Sequence, residues 1–180
     1  MIQKERVADT KYIKKLFPEV DEIKDADLRE LVMKTWLLAM ERGAWERIDS
    51  IPFTLLIPTE VSLVEHTRRV TRMAMAVAGE RYDLDMDIVI AGGLTHDVGK
   101  LLEYEMEDEQ VVKSRFGTLV RHPMSGYALA TEVGLPLEVA HIIGAHSVEG
   151  DKVSRTPEAI LIHHCDFIDF EIAKSTAETP

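Results

Sequence analysis

The sequence predicts an all-α protein, because apolar residues recur at three- and four-residue steps through much of the chain and capping signals mark where these stretches begin and end. No pair of strands is convincing. The chain has 180 residues, of which 46% are hydrophobic and 29% are charged. This length and composition are typical of one globular domain with a single core. We therefore expect one domain of roughly five to seven helices.

The helices in the first half of the chain are predicted from periodicity and caps. Residues 25–42 carry apolar side chains on one face, and Gly43 follows as a stop. Ser62 and Glu65 form an S-x-x-E capping box, so a second helix should run from residue 62 to about residue 79. A third helix should start near Asp85 or Asp87 and continue through "IVIAGGLTHDVGKLLEY" to residue 104. Its small residues at 91–93 indicate that a neighbouring helix crosses closely there.

The second half begins with a polar stretch, residues 105–121, that we expect to be a loop covering a pocket. A helix should follow from Pro123, with His122 at its cap, and end at Gly134. Another should begin at Pro136. The last should begin at Pro157, with Thr156 as its N-cap.

Charge and composition restrict the function. The net charge is −11, from 21 basic and 32 acidic side chains, which disfavours binding of long nucleic acid. No apolar run approaches the roughly 18 residues of a membrane span, and the N-terminus lacks the apolar region of a secretory signal. A single cysteine fits a reducing compartment. We expect a cytoplasmic protein without a membrane partner.

Polar residues in apolar surroundings mark a candidate site. His66 shares a helix face with Val70 and points inward. His96 and Asp97 are adjacent in a run of small and apolar residues, and together they offer a nitrogen and an oxygen of the kind that transition metals bind. Lys100 lies four residues after His96 and would suit a phosphate oxygen.

The same argument extends to the later helices. His122 lies at a helix N-terminus, where the helix dipole favours the neutral imidazole that binds metals. His146 ends a helix on its inward face, and Asp166 lies among apolar residues, so this carboxylate needs a cation. His163, one turn before Asp166, is positioned to brace it, and Asp169 would lie in an outer shell. Taken singly, an inward histidine is more often a hydrogen-bonded core residue than a metal ligand.

The order H…HD…H…H…D resembles the signature of the HD-domain superfamily of metal-dependent phosphohydrolases, and "HDVGK" is similar to its HD-[IV]-G-K form. The resemblance implies a helical bundle around a metal site in residues 60–172. Residues 1–59 would then be a helical extension packing on this core, and residues 173–180 a tail. The stretch "TPEAILIHHCDFID" is also similar to the HD domain of a bacterial 3′–5′ exoribonuclease family.

The resemblance further implies roles for individual residues. Asp97 would bridge two divalent ions, and a hydroxide held between them would attack phosphorus. Lys100 would bind the scissile phosphate, helped by Arg69 and Arg121 or by Arg68. The remaining ligands would be His66, His96 and Asp166 for one ion, and His122 and His146 for the other. This ligand set suits Fe, Mn, Zn, Co or Ni.

We accordingly expect a phosphohydrolase that cleaves a phosphate mono- or diester of a nucleotide or another small phosphorylated molecule. Two alternatives remain open. One is a non-catalytic nucleotide-binding or signalling module, in which the metals only brace the helices. The other is an HD-type di-iron oxygenase, which uses the same ligand types to activate oxygen.

Overall fold

Helices dominate the computed structural model, which describes residues 9–177. They are α1 (Thr10–Leu16), α2 (Ala26–Arg42), α3 (Leu63–Gly79), α4 (Met86–Thr95), α5 (Lys100–Glu103), α6 (Arg115–Leu119), α7 (His122–Val133), α8 (Leu137–Ala145) and α9 (Pro157–Ala177), with short 3-10 helices at Pro18–Glu22 and Val148–Lys152. A single hairpin, β1 (Tyr104–Glu107) and β2 (Gln110–Lys113), interrupts them in this part of the chain. The predicted all-α class is confirmed.

Side-chain caps begin the long helices as predicted. The Ser62 hydroxyl accepts a hydrogen bond from the Glu65 amide, and the Glu65 carboxylate accepts one from the Ser62 amide, so the capping box that starts α3 is present. At the start of α9, the Thr156 hydroxyl accepts from the Ala159 amide. Gly134, with a φ of 89°, ends α7. Local sequence therefore sets the ends of these helices.

The third predicted helix is interrupted, which corrects our expectation of a continuous helix to residue 104. After α4 ends at Thr95, residues 96–99 form a tight turn, in which the Lys100 amide donates to the Asp97 carbonyl at 2.9 Å. The turn brings Gly99 against the start of α7, where an added Cβ would lie 2.1 Å from the His122 carbonyl oxygen. Only glycine allows this approach.

The polar stretch at 105–121 also differs from the predicted loop, since it contains most of the hairpin and α6. Tyr104 pairs with Lys113 and Glu107 with Gln110, which leaves Asp108 and Glu109 as a two-residue turn. Both turn residues have positive φ, 46° and 64°. Such turns favour asparagine and glycine, so the acidic pair gave no sequence signal for a hairpin.

The N-terminal helices share the main core with the later ones. Ile13 and Trp36 belong to the same buried cluster as Ile90 and Ile143. The Trp36 indole also donates to the Leu94 carbonyl oxygen at 2.9 Å, which ties α2 to α4. Within residues 9–177, no helix has both the length and the apolar character needed to cross a membrane.

Small residues in α4 allow close packing on both of its sides. An added Cβ on Gly93 would lie 2.9 Å from the Thr71 hydroxyl of α3, and one on Gly92 would lie 2.5 Å from the Ile142 side chain of α8. The predicted close crossing is therefore present. It brings α3, which carries His66 in its first turn, into direct contact with α4, which ends just before His96.

Candidate metal centre

Five helices and the turn at 96–99 bring the predicted ligands together in two clusters. His66 comes from the first turn of α3, His122 begins α7, and His146 follows α8 directly. The first cluster is His66, His96 and Asp166, and the second is Asp97, His122 and His146. Within each cluster, one ligand atom from every residue lies within 4.8 Å of the others. All but Asp166 are buried.

Asp97 lies between the clusters and faces both. Its Oδ1 is 3.3 Å from Nε2 of His122 and 3.6 Å from Nε2 of His146. Its Oδ2 is 3.4 Å from Nε2 of both His66 and His96. Asp166 Oδ1 lies 3.1 Å from the same nitrogen of His66. One carboxylate is thus shared between two pairs of imidazoles.

The other nitrogen of each imidazole is already held by the protein. Nδ1 of His96 lies 2.7 Å from the Gly93 carbonyl oxygen, and Nδ1 of His146 lies 2.8 Å from that of Ile143. A carbonyl only accepts hydrogen bonds, so both Nδ1 atoms donate and both Nε2 atoms of the neutral rings carry lone pairs. Carboxylates hold the other two rings, with Asp169 at 2.7 Å from His66 and Glu103 at 2.8 Å from His122.

This arrangement fits a metal ion. The Nε2 atoms of His66 and His96 are 3.4 Å apart, and those of His122 and His146 are 3.3 Å apart. In neutral rings, two lone pairs at this distance cannot bond to each other, whereas a cation between them, either a proton or a metal ion, satisfies them. Two nitrogen ligands at the usual zinc distance and a tetrahedral angle are about 3.4 Å apart. The donor set and its outer partners could therefore hold a metal ion.

Electrostatics at the first cluster also favour a cation. Burial lowers the pKa of His66, but hydrogen bonds with Asp166, Asp169 and Asp97 outweigh this effect and raise it to about 10. A metal ion would take the place of that proton. Burial raises the pKa of Asp97, yet the nearby charge of Lys100 and the surrounding imidazoles hold it well below its usual range. Asp97 is therefore ionised, as a metal ligand must be.

Lys100 is the direct counter-ion of Asp97. Its Nζ donates to Asp97 Oδ2 and to the Phe53 carbonyl oxygen, both at 2.6 Å. Burial lowers the pKa of Lys100, but the charge of Asp97 overcomes this and raises it. The ammonium group thus stays charged at the edge of both clusters. The helix is broken at residues 96–99, so Lys100 does not lie one helical turn after His96 as the sequence spacing predicted. It pairs with Asp97 instead.

Glu103 is a site residue that sequence reasoning missed. Its Oε2 accepts hydrogen bonds from the backbone and ring of His122, each at 2.8 Å, while Oε1 lies 3.1 Å from Arg121 and 3.6 Å from Lys113. Burial raises the pKa of Glu103, but the bonds from His122 outweigh this and lower it to about 2. A carboxylate within the apolar stretch "KLLEY" was the available signal, since a buried charge needs a partner.

A cavity of about 240 Å³ opens over the clusters. Three residues of the clusters line it, namely Asp97, His122 and Asp166. Cationic side chains line it as well, namely Lys100, Lys113 and Arg121, together with the Tyr104 phenol. Burial raises the pKa of Tyr104 to about 12, so the phenol remains a hydrogen-bond donor. The cavity therefore combines residues that could hold a metal ion with cationic groups that could attract an anion.

The family model of the HD domain matches residues 63–170, which is more than half of the chain. The chain belongs to the HD domain family. This region contains both clusters and the cationic residues of the cavity.

Curated relatives carry two different activities in their names. Dihydroneopterin 2′,3′-cyclic phosphate phosphodiesterase from Methanocaldococcus jannaschii is 30% identical over 121 residues, which are 63% of this chain and 48% of that protein. Ribonuclease Y from Desulforudis audaxviator is 33% identical over 107 residues, 59% of this chain and 18% of that protein. The chain thus spans less than half the length of either relative. No solved structure matches it significantly.

The remaining predicted residues lie near the two clusters, but some of them contact other partners than we expected. His163 does not brace Asp166 as expected, because its Nδ1 lies 2.6 Å from the carbonyl oxygen of His146. Arg69 was predicted to bind substrate, but it lies outside the cavity and pairs with Asp169 at 3.0 Å. Arg121 lines the cavity. The partners of His163 and Arg69 depend on how the helices pack, which sequence spacing does not describe.

Proposed function

We propose that this HD domain protein is a metal-dependent phosphohydrolase that cleaves a mono- or diester of a small phosphorylated molecule, such as a nucleotide. One observation carries the proposal. The two oxygens of Asp97 face two pairs of imidazole nitrogens on the floor of a cavity that also holds cations. Phosphoryl transfer depends on such neutralisation of phosphate charge.

Two divalent ions would be held by the two clusters, with Asp97 shared between them. Bound there, they would neutralise phosphoryl oxygens and lower the pKa of a water molecule enough for it to attack phosphorus. The four imidazoles are fixed for this task, since every Nδ1 is already hydrogen-bonded to the protein. Their ring orientation needs no adjustment when the ions bind.

The cationic residues would bind and orient the phosphate. Lys100 uses two of its three ammonium hydrogens for Asp97 and Phe53, which leaves one for a phosphate oxygen. Arg121 is 40% exposed at the side chain and lines the cavity, so its guanidinium is accessible to the substrate. The protonated phenol of Tyr104 supplies a further donor.

A small substrate fits the molecule better than a polymer. The cavity of about 240 Å³ holds a small ester, and the net charge of −11 opposes association with a long polyanion. Of the two relatives' names, the one that specifies a small cyclic phosphate therefore agrees better with this chain than the one that specifies a ribonuclease.

The test is turnover under defined metal and oxygen conditions. Nucleoside monophosphates, 2′,3′-cyclic nucleotides and bis(4-nitrophenyl) phosphate would be incubated with the protein and Mn²⁺ under argon. We expect hydrolysis by the wild type and by His164→Ala, an exposed histidine outside the clusters, and no hydrolysis by His122→Ala. Product formation that requires Fe²⁺ and O₂ would indicate an oxygenase. Nucleotide binding without turnover across several metals would indicate a binding module.

A further inference from the structure

The cavity has an apolar portion that the proposed chemistry does not use. Its lining includes Phe53, Leu55, Leu56, Val148, Phe167 and Phe170. Three of these remain well exposed: Leu56 at 75%, Val148 at 57% and Leu55 at 40%. Exposed apolar side chains gathered at the mouth of a cavity are typical of ligand-binding surfaces.

The apolar and cationic groups are associated with different metal clusters. Lys113 and Arg121 both approach Glu103, the carboxylate that holds His122 of the second cluster. Phe53 instead stacks on the ring of His66 in the first cluster, with ring centroids 4.6 Å apart, and Phe170 lies 6.3 Å from Phe53. A phosphate ester can thus place its charge near one set of groups and its alcohol portion near the other.

The apolar wall at residues 53–56 is anchored where it meets the metal centre. Lys100, which bonds Asp97, also donates to the Phe53 carbonyl oxygen at 2.6 Å. The Phe53 amide donates to the Val61 carbonyl at 3.1 Å and closes the loop that carries the two leucines. The distance between the wall and the metal-binding carboxylate is therefore set by direct bonds. Its exposed side chains lie further along the loop.

We propose that residues 53–56, together with Phe167 and Phe170, bind an aromatic or apolar alcohol portion of the substrate. The inference rests on the proposed function, because it assumes that the phosphate lies at the metal clusters. Residues 53–56 precede the region that matches the HD domain model, residues 63–170. A segment outside the family region would thus contribute, together with two phenylalanines inside it, to the choice of ester.

Two phosphonates that cannot be hydrolysed test this inference without any influence of leaving-group reactivity. Phenylphosphonate and methylphosphonate share the anion and differ in the apolar group. Their dissociation constants would be measured by calorimetry with the Mn²⁺-loaded protein. We expect phenylphosphonate to bind at least about tenfold more tightly, as burial of a ring predicts.

The variant Leu55→Ser/Leu56→Ser should reduce this preference to about twofold or less, since the exposed wall loses most of its apolar surface. The matched control is Leu137→Ser, because Leu137 is 69% exposed and does not line the cavity. It should keep the wild-type ratio. Equal affinity of the wild type for both phosphonates, or an unchanged ratio in the double variant, would overturn the inference and leave the proposed function standing. Binding of neither phosphonate would contradict both.

Discussion

Glu103 fixes a residue of the second cluster, although it does not belong to that cluster itself. It holds the ring of His122 and approaches two cations of the cavity. Asp169 has the corresponding contact in the first cluster, where it holds His66 and pairs with Arg69. Each cluster therefore has one histidine fixed by a carboxylate and one fixed by a backbone carbonyl. The carboxylates increase the basicity of the rings that they hold.

Substitution of Glu103 by glutamine should weaken metal binding at the second cluster. The amide keeps the size of the side chain but removes the charge that supports His122, so we expect metal affinity to fall about 10–100-fold. Titration of the chelator-treated protein with Mn²⁺ would measure this loss. Glu107→Gln, at an exposed position of β1, is the control. Unaltered affinity in Glu103→Gln would contradict the positioning role.

Lys100→Met should destabilise the metal-free protein more than the metal-loaded one. Without metal, Asp97 would lose its buried counter-ion, and breaking such a pair costs about 3–5 kcal/mol. Bound ions would compensate most of that charge. Urea unfolding with EDTA and with Mn²⁺ would measure both values.

The control for Lys100 is Lys34→Met, which removes an exposed ion pair to Glu30 and should cost about 0.5 kcal/mol or less in either condition. Equal losses of stability for Lys100→Met with and without metal would contradict the claim that both Lys100 and the bound ions compensate the charge of Asp97.

The same variant should bind phosphate esters more weakly while keeping its metal content.

At the scale of elements, the packing of α3 on α4 determines whether the ligands of the first cluster meet. His66 lies in the first turn of α3 and His96 follows α4, and the two helices touch where Gly93 lies against Thr71. Any side chain at residue 93 must push these helices apart or displace Thr71.

Gly93→Ala should therefore lower both stability and metal affinity, even though alanine is the better helix former. The added Cβ would lie 3.1 Å from the Thr71 Cα, which cannot move without the helix. Overpacking of this kind costs about 1–3 kcal/mol. Chemical unfolding and Mn²⁺ titration would measure the two effects. Gly79→Ala, where nothing lies within 4 Å of the new Cβ, should be neutral or stabilising; similar behaviour of the two variants would contradict the packing argument.

Elements with strong local signals were predictable from the sequence. The capping box at Ser62 and the glycine at residue 134 set helix ends that depend on neighbouring residues alone. The break after Thr95 was not predictable, because it depends on the approach of α7 to Gly99. The hairpin turn at Asp108 and Glu109 lacked the usual residues for its backbone conformation.

The candidate site likewise contains residues that local sequence predicts and contacts that depend on packing. The inward histidines and the His96–Asp97 pair could be identified from the sequence, because they are polar groups in apolar surroundings. The partners of Glu103, His163 and Arg69 depend on how distant elements pack, so sequence spacing could not assign them. The ligand set itself remains a prediction until metal binding is measured.

At the scale of the whole molecule, the clusters join helices that are far apart in sequence. The N-terminal segment is tied to the same assembly, since Glu19 accepts hydrogen bonds from Arg68 at 3.0 Å and from Arg72 at 2.7 Å. Arg68 and Arg72 of α3 are thus engaged in hydrogen bonds within the protein. The division of the chain at residue 59 remains a prediction, although the core is continuous across it.

Metal should consequently stabilise the entire fold. An ion that binds only the folded state adds about 2.7 kcal/mol at a free concentration of 100 times its dissociation constant. For a domain of this size, that corresponds to a rise of about 5–10 °C in the unfolding temperature. Calorimetric scans with Mn²⁺ and with EDTA would measure it. Identical unfolding temperatures in the two buffers would exclude a metal site that links the helices.

The shared carboxylate of Asp97 is the central claim, and metal content tests it most directly. Elemental analysis after loading with Mn²⁺ and removal of free metal should give about two ions per wild-type chain and per His164→Ala chain. His146→Ala should retain about one ion, and Asp97→Asn should retain essentially none, because both clusters lose their common ligand. One ion in the wild type, or two in Asp97→Asn, would contradict a site in which Asp97 joins two metals.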